Sequence, residues 1–147
     1  MRKYSKRTVR PLLDPMVWIT KRSPLANDQQ RDIGIAYHAS LQAILRGHGN
    51  AQAWATLACS LNIALMLCEQ GFSAGHIDDI KHAQTAMLTC RTRAEIHNKY
   101  GFTGDEARLV MAACNIQDEQ ISMASKGQVS EALRILHERI EQGEVYV

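Results

Sequence analysis

Apolar side chains recur every three or four residues along most of this chain, and glycine interrupts the pattern repeatedly. A period near 3.6 residues places such side chains on one face of an α-helix. Glycine tolerates the left-handed backbone that commonly ends a helix. The positions that close the periodic stretches are Gly47, Gly71, Gly101, Gly127 and Gly143. The pattern therefore predicts an all-α fold.

The periodic stretches predict about five helices. The first begins near Asn27 or Asp28 and ends at Arg46, the second lies between Asn50 and Gly71, and the third spans about residues 74–99. Short connections make consecutive helices antiparallel neighbours. We therefore predict an up-and-down bundle over residues 27–147.

Thr103 and Glu106 have the spacing of a capping box, which marks the start of the fourth helix. The fifth helix is predicted over about residues 128–142. Gly127 either separates these two helices or lies within one continuous helix, and the pattern leaves both possibilities open.

The second predicted helix is apolar on nearly every side, because Ile63, Met66 and Leu67 add a second face to the stripe that contains Leu57 and Leu61. A helix of this kind is either the centre of a bundle or shared with another subunit. The sequence leaves both interpretations open, and the second predicts a homodimer.

Composition bounds the class of protein. The chain has 147 residues, 46% of them hydrophobic and 22% charged, which fits one globular domain. The longest apolar stretch, residues 53–68, is interrupted by polar residues and is shorter than the roughly 20 residues that span a bilayer. The basic N-terminus is not followed by the apolar region of a signal peptide. We therefore expect a cytoplasmic protein that does not contact membranes.

Charge is divided unevenly along the chain. Residues 1–26 contain seven basic side chains and one acid, whereas residues 27–147 contain ten basic and fourteen acidic side chains. Three prolines and the lack of a helical period predict that residues 1–26 form an extended basic arm. Within it, the apolar segment around Trp18 either packs across the surface of the bundle or is buried by a second chain. We predict that this segment binds a protein partner through Pro15, Met16, Trp18 and Ile19.

An alternative function is nucleic-acid binding by the arm. Basic side chains gain affinity by releasing counterions from phosphates, and the arm carries Arg2, Lys3, Lys6, Arg7 and Arg10. A second basic cluster, which could widen this footprint, contains Arg91, Arg93, Lys99 and Arg108.

A helix-turn-helix is a further possibility, with its turn at residues 115–117 and its second helix over residues 121–127. Asp118 and Glu119 argue against it, because acids at the end that approaches the groove repel phosphate.

Motifs for catalysis, metals and cofactors are lacking. The six histidines do not form Glu-x-x-His pairs, and the four cysteines do not form a C-x-x-C motif, which predicts surface histidines and reduced core thiols. Gly47 and Gly49 form a lone G-x-G that is better explained as a turn. We therefore predict no enzyme activity, no metal and no cofactor. An enzyme whose site is assembled in space remains an alternative.

The segments Asp14-Pro-Met-Val-Trp18 and Asn115-Ile-Gln-Asp-Glu-Gln-Ile121 resemble a loose group of short, uncharacterised proteobacterial proteins, some of them associated with phages or plasmids. The resemblance covers most of the chain and implies no activity. It favours a small bacterial or mobile-element regulator that works by binding, as an adaptor or an inhibitor of a host or phage macromolecule.

Overall fold

The computed structural model describes residues 27–143, with side chains from Asp32 onward. This part of the chain is helical and has no named β-strand. A short 3-10 turn at Ala74–His76 precedes the third helix. The helices are α1 (Asn27–Leu45), α2 (Ala51–Glu69), α3 (Ile77–His97), α4 (Gly104–Met123) and α5 (Lys126–Glu141). The all-α prediction is therefore confirmed.

Side-chain caps fix where several helices begin. Asn50 accepts a hydrogen bond from the Ala53 backbone N–H at 2.8 Å, which starts α2. The predicted capping box of α4 is present, since the Thr103 hydroxyl and the Glu106 carboxylate each accept from the other's backbone N–H. Ser125 and Gln128 form a second capping box at the start of α5, which was not predicted.

Glycine ends some of the predicted helices and not others. Gly47 and Gly71 have φ angles of 80° and 100°, a backbone conformation that side chains with a Cβ rarely adopt. Gly101 was the wrong residue for the end of α3, because Asn98 takes the left-handed position and donates its backbone N–H to Ala94. Gly127 does not end a helix either, since it lies in the first turn of α5.

The first four helices alternate in direction. Tyr37 of α1 bonds to Asp118 of α4, and Arg93 near the end of α3 pairs with Glu106 near the start of α4. Gln117 and Gln120 of α4 bond to α2 at residues that advance in the same order along the chain. These contacts make α2 and α4 parallel and their neighbours antiparallel, as an up-and-down bundle requires.

Helix α2 is the centre of the bundle, in contact with each of the other four helices. Residues 60–68 are buried without interruption. The extra apolar face that suggested a second subunit is therefore covered within one chain. By length and mean hydropathy α2 could span a membrane, contrary to our prediction from its length, but 67% of the apolar window is buried in the bundle. This burial is compatible with a soluble protein.

Helix α5 departs from the predicted arrangement, because it packs chiefly on α2 rather than on its chain neighbour α4. Ala124 and Ser125 are both extended, with ψ angles of 141° and 163°, so the chain leaves α4 in a new direction. Arg139 then bonds to the Glu69 carboxylate at the end of α2, with an N–O distance of 2.6 Å. The short connection between α4 and α5 therefore does not make them packing neighbours.

Candidate functional site

Three polar side chains meet where α1 packs on α4, and we call Tyr37, His38 and Asp118 the seam triad. The Tyr37 hydroxyl donates to one oxygen of the Asp118 carboxylate. The Nε2 atom of His38 lies 3.0 Å from both oxygens of the same carboxylate. Tyr37 is buried, whereas His38 and Asp118 are about half exposed, with side-chain exposures of 40% and 45%. The triad is therefore a surface feature anchored to the core by Tyr37.

The seam triad lies beside a buried thiol, Cys114. Burial raises the pKa of Tyr37 above its usual range, and the hydrogen bond to Asp118 adds to the effect by favouring the protonated phenol. Burial likewise raises the pKa of Cys114 to about 12, with a further contribution from the Asp118 charge. Both groups therefore stay protonated at neutral pH and are poor nucleophiles.

The chemistry open to the seam triad is limited. His38 has one ring nitrogen held by a carboxylate and is half exposed, which is the arrangement of an oriented acid–base group. The groups beside it in the described part of the chain, Tyr37 and Cys114, do not ionise near neutral pH. Joining α1 to α4 is the role that these contacts support. Sequence spacing could not reveal the triad, because 80 residues separate His38 from Asp118.

Two buried glutamines of α4, which we call the glutamine ladder, bind α2. The Gln117 amide accepts from the Ser60 hydroxyl and donates to the Ser60 backbone carbonyl at 2.9 Å. Gln120 donates from Nε2 to the Ala64 carbonyl at 3.0 Å and to the Phe72 carbonyl at 3.2 Å. Its Oε1 atom is buried without a partner. The ladder ties α4 to α2 in one register, because Gln117 bonds at Ser60 and Gln120 bonds one turn later at Ala64.

The helix-turn-helix interpretation is wrong. Residues 115–117, assigned to the turn, lie in the middle of α4, which is continuous from Gly104 to Met123. The break comes at Ala124 and Ser125, after the residues that the motif requires to be a turn. Gln117 faces the core and Asn115 faces solvent, as the period of a single helix demands.

Three of the four residues in the second basic cluster pair with carboxylates of the described chain. Arg93 donates to the Gly101 carbonyl at 2.9 Å and to Glu106 at 2.8 Å. Arg91 lies over the ring of Trp54, 5.1 Å from its centroid, and near Glu95. Arg108 pairs with Asp105. Arg93 joins α3 to α4 and Arg91 joins α3 to α2, whereas the Arg108–Asp105 pair lies within α4. Lys99, the fourth residue of the cluster, is exposed.

Glu106 makes the stability of this cluster depend on pH. The hydrogen bond from Arg93 lowers the pKa of Glu106, opposed by desolvation and assisted by the Thr103 backbone N–H. A carboxyl whose pKa is lower in the folded state stabilises the fold above its unfolded pKa, near 4.5, and loses that contribution as pH falls through the folded pKa.

We expect Glu106→Gln to lower the free energy of unfolding by about 1–2 kcal/mol at pH 7, because charge-assisted bonds to Arg93 and the cap are lost. The difference from the unsubstituted protein should shrink as pH falls from 5 toward 3. Urea unfolding at several pH values measures it. Asp105→Asn, in the same helical turn but with a side chain 83% exposed, is the matched control. Equal effects of the two substitutions at every pH would contradict the assignment.

The remaining motifs from the sequence have structural explanations. Gly49 lies in the turn between α1 and α2, as predicted, and a Cβ there would lie 3.0 Å from the Tyr100 carbonyl oxygen and 2.9 Å from Ile44 Cγ1. Close packing therefore explains this glycine. All four cysteines have free thiols, three of them buried, and burial raises the pKa of the half-buried Cys59 to about 11. The six histidines lie at the surface or its boundary, as predicted.

The described residues bring no three His, Cys, Asp or Glu side chains together as metal ligands. Both sets of arm residues proposed from the sequence lie outside the described residues. They are the protein-binding set, Pro15, Met16, Trp18 and Ile19, and the nucleic-acid-binding set, Arg2, Lys3, Lys6, Arg7 and Arg10.

Comparison with known proteins found no match to a family model, to a curated protein or to a solved structure. The resemblance to short proteobacterial and phage-associated proteins therefore stays a prediction.

Proposed function

We propose that this protein is a non-enzymatic regulator or adaptor that acts by binding another protein. In this proposal the arm segment Pro15, Met16, Trp18 and Ile19 contacts the partner, and the helical bundle carries it. A protein that inhibits or bridges other macromolecules needs an interface and no catalytic group. The titratable groups of the described bundle whose pKa values are displaced are held in structural pairs or in the core, which fits such a role.

Exposed apolar side chains carry the proposal. Outside the core of the described bundle, Ile35, Ile96, Met123 and Ile140 are each more than half exposed, from 51% to 72%. Single exposed apolar residues are ordinary on protein surfaces. Four on a bundle of this size, together with the apolar segment that precedes α1 in the sequence, favour a protein that buries surface against a partner.

A mass measurement on the full chain tests the arm. We expect light scattering to give a dimer for the unsubstituted protein and a monomer for Trp18→Ala, with little change in melting temperature. Tyr4→Ala, an aromatic substitution in the same arm but outside the apolar segment, should leave the dimer intact. If Trp18→Ala changes neither mass nor melting temperature, the arm is neither an interface nor part of the core, and this part of the proposal fails.

Nucleic-acid binding is the second candidate, favoured by the concentration of positive charge in residues 1–26. It predicts that fluorescence anisotropy with a labelled DNA duplex or RNA strand gives an affinity that falls steeply with salt. Five phosphate contacts would give a log–log slope of about −4.5 on duplex DNA. Neutralising Arg2, Lys3, Lys6, Arg7 and Arg10 with glutamine should abolish binding, whereas Lys21→Gln with Arg22→Gln should weaken it only slightly. Absence of salt-dependent binding rules this candidate out.

A further inference from the structure

Helix α3 has an outward face that nothing in the described chain covers. It packs on α2 and α4 with the side that contains Ile80, Met87 and Cys90. The opposite side carries residues that we call the outer stripe: Thr85, Leu88, Thr89, Thr92 and Ile96. Ile96 is 72% exposed, the most exposed large apolar side chain in the described residues. The stripe contains no charged residue.

The three threonines expose less polar surface than free hydroxyl groups would. The hydroxyls of Thr85, Thr89 and Thr92 each donate to the backbone carbonyl four residues earlier, at 3.1 Å. With the hydroxyl turned to the helix backbone, the methyl group is left to face outward. Residues 85, 88, 92 and 96 also have the spacing of three and four residues at which two helices pack along a seam.

Opposite charges flank the outer stripe. Lys81 lies one turn before it, and Glu95 lies at its far end with a side chain 68% exposed and only a loose 3.8 Å pairing to Arg91. Asp78 lies in the first turn of α3, and the basic residue Lys99 follows its end. A second α3 running in the opposite direction would therefore meet unlike charges at both ends, whereas a parallel one would meet like charges.

We propose that the outer stripe binds a second copy of this chain, as an antiparallel α3–α3 pair related by a two-fold axis near Leu88 and Thr89. The axis places Thr85 of each copy opposite Thr92 of the other, and Lys81 of each copy beside Glu95 of the other. An isologous contact of this kind forms each favourable pair twice. Antiparallel helix dipoles add a smaller favourable contribution.

The contact is narrow. From Lys81 to Ile96 the helix rises about 23 Å, and one helix face of that length buries well under the roughly 800 Å² per partner of a typical specific interface. We therefore expect a dissociation constant in the micromolar range or weaker unless another segment adds area. This inference names the second copy as one partner within the proposed binding function and rests on it.

Sedimentation equilibrium of the full chain, from about 5 µM to about 500 µM, tests the stripe. We expect Ile96→Lys to weaken dimerisation at least tenfold, because the axis brings the new ammonium group of each copy next to Lys81 of the other. Met111→Lys, at an apolar side chain of α4 that is 45% exposed, is the matched control and should leave association unchanged. Equal association of the Ile96→Lys variant and the unsubstituted chain would overturn the proposal, as would a monomer throughout the range.

Reversing the charges tests the antiparallel orientation. Lys81→Glu alone places two carboxylates together at both ends, and Glu95→Lys alone does the same with two ammonium groups, so each should weaken the dimer. The double variant restores both pairs and should recover most of the affinity. The control is the same set of charge reversals on α4, Asp105→Arg and Arg108→Asp, which should leave the dimer unchanged. If the double variant loses as much dimerisation free energy as the two single variants together, antiparallel pairing is excluded.

Trp18→Ala separates this inference from the arm interface. Weaker dimerisation in both Ile96→Lys and Trp18→Ala supports both interfaces, whereas weaker dimerisation in Ile96→Lys alone supports the stripe and removes the arm from self-association. The reverse result supports the arm and overturns the stripe. Melting temperatures near that of the unsubstituted protein show that each variant is folded, since Ile96 lies on the surface.

Discussion

Trp54→Ala is expected to lower the free energy of unfolding by about 3–5 kcal/mol, the range for removing a large buried aromatic ring. Trp54 is 7% exposed in the first turn of α2, where its Nε1 atom donates to the Met87 carbonyl at 2.9 Å. Arg91 covers the ring on the outer side. Its removal opens a void between α2 and α3, which cannot close because α2 is also held by α1, α4 and α5. Urea unfolding followed by far-ultraviolet circular dichroism measures the loss.

Two further variants divide this effect into its parts. Trp54→Phe keeps most of the ring and removes the indole donor, and it should cost only about 1 kcal/mol beyond the lost volume because the Met87 carbonyl lies within a helix. Ile140→Ala removes a half-exposed apolar side chain from α5 and should cost far less than Trp54→Ala. A loss of less than 1 kcal/mol for Trp54→Ala would contradict the placement of this ring in the core.

Gln117→Met should lower the free energy of unfolding by about 2–3 kcal/mol although it adds apolar character to the core. Methionine has nearly the shape of glutamine but can neither accept from the Ser60 hydroxyl nor donate to the Ser60 carbonyl. Ser60 is 5% exposed, so water cannot replace the lost partner of its hydroxyl. A buried polar group left unpaired costs more than the hydrogen bond contributed. Thermal and urea unfolding both report the change.

A double-mutant cycle isolates this pair. Ser60→Ala with Gln117→Met removes both partners, and the double variant should be more stable than the sum of the single effects predicts. Gln120→Met is the matched comparison one turn away. Because Gln120 Oε1 already lacks a partner, its replacement removes an unsatisfied acceptor and should cost less than Gln117→Met. If Gln120→Met instead costs more stability than Gln117→Met, Gln120 contributes more to the free energy of unfolding than its hydrogen bonds explain.

The sequence predicted the helices well where a local interaction sets their ends. The Thr103 capping box and the left-handed glycines at Gly47 and Gly71 act within four residues of themselves, so their effect can be inferred without knowing the fold. The errors came where two local signals compete. Asn98 took the position expected for Gly101, and the Ser125 capping box began a helix just before Gly127.

The candidate site was beyond sequence reasoning for a different reason. His38 and Asp118 belong to α1 and α4, and only the packing of those helices brings the imidazole within 3.0 Å of the carboxylate. The glutamine ladder was missed because polar residues in a helix are ordinarily assigned to solvent. Gln117 and Gln120 instead lie at 1% and 0% exposure, where α2 supplies partners for their amides.

The sequence by itself determined the helical class, most helix ends, the reduced core cysteines and the uneven distribution of charge, because composition and spacing of a few residues control these features. The tertiary structure decided that the second apolar face of α2 is covered within one chain and that α5 packs on α2. It also decided that Arg91, Arg93 and Arg108 are paired and that no other element of the described chain covers the outer stripe of α3. These outcomes depend on which helices become neighbours, and that is settled by the joint burial of several faces rather than by any local pattern.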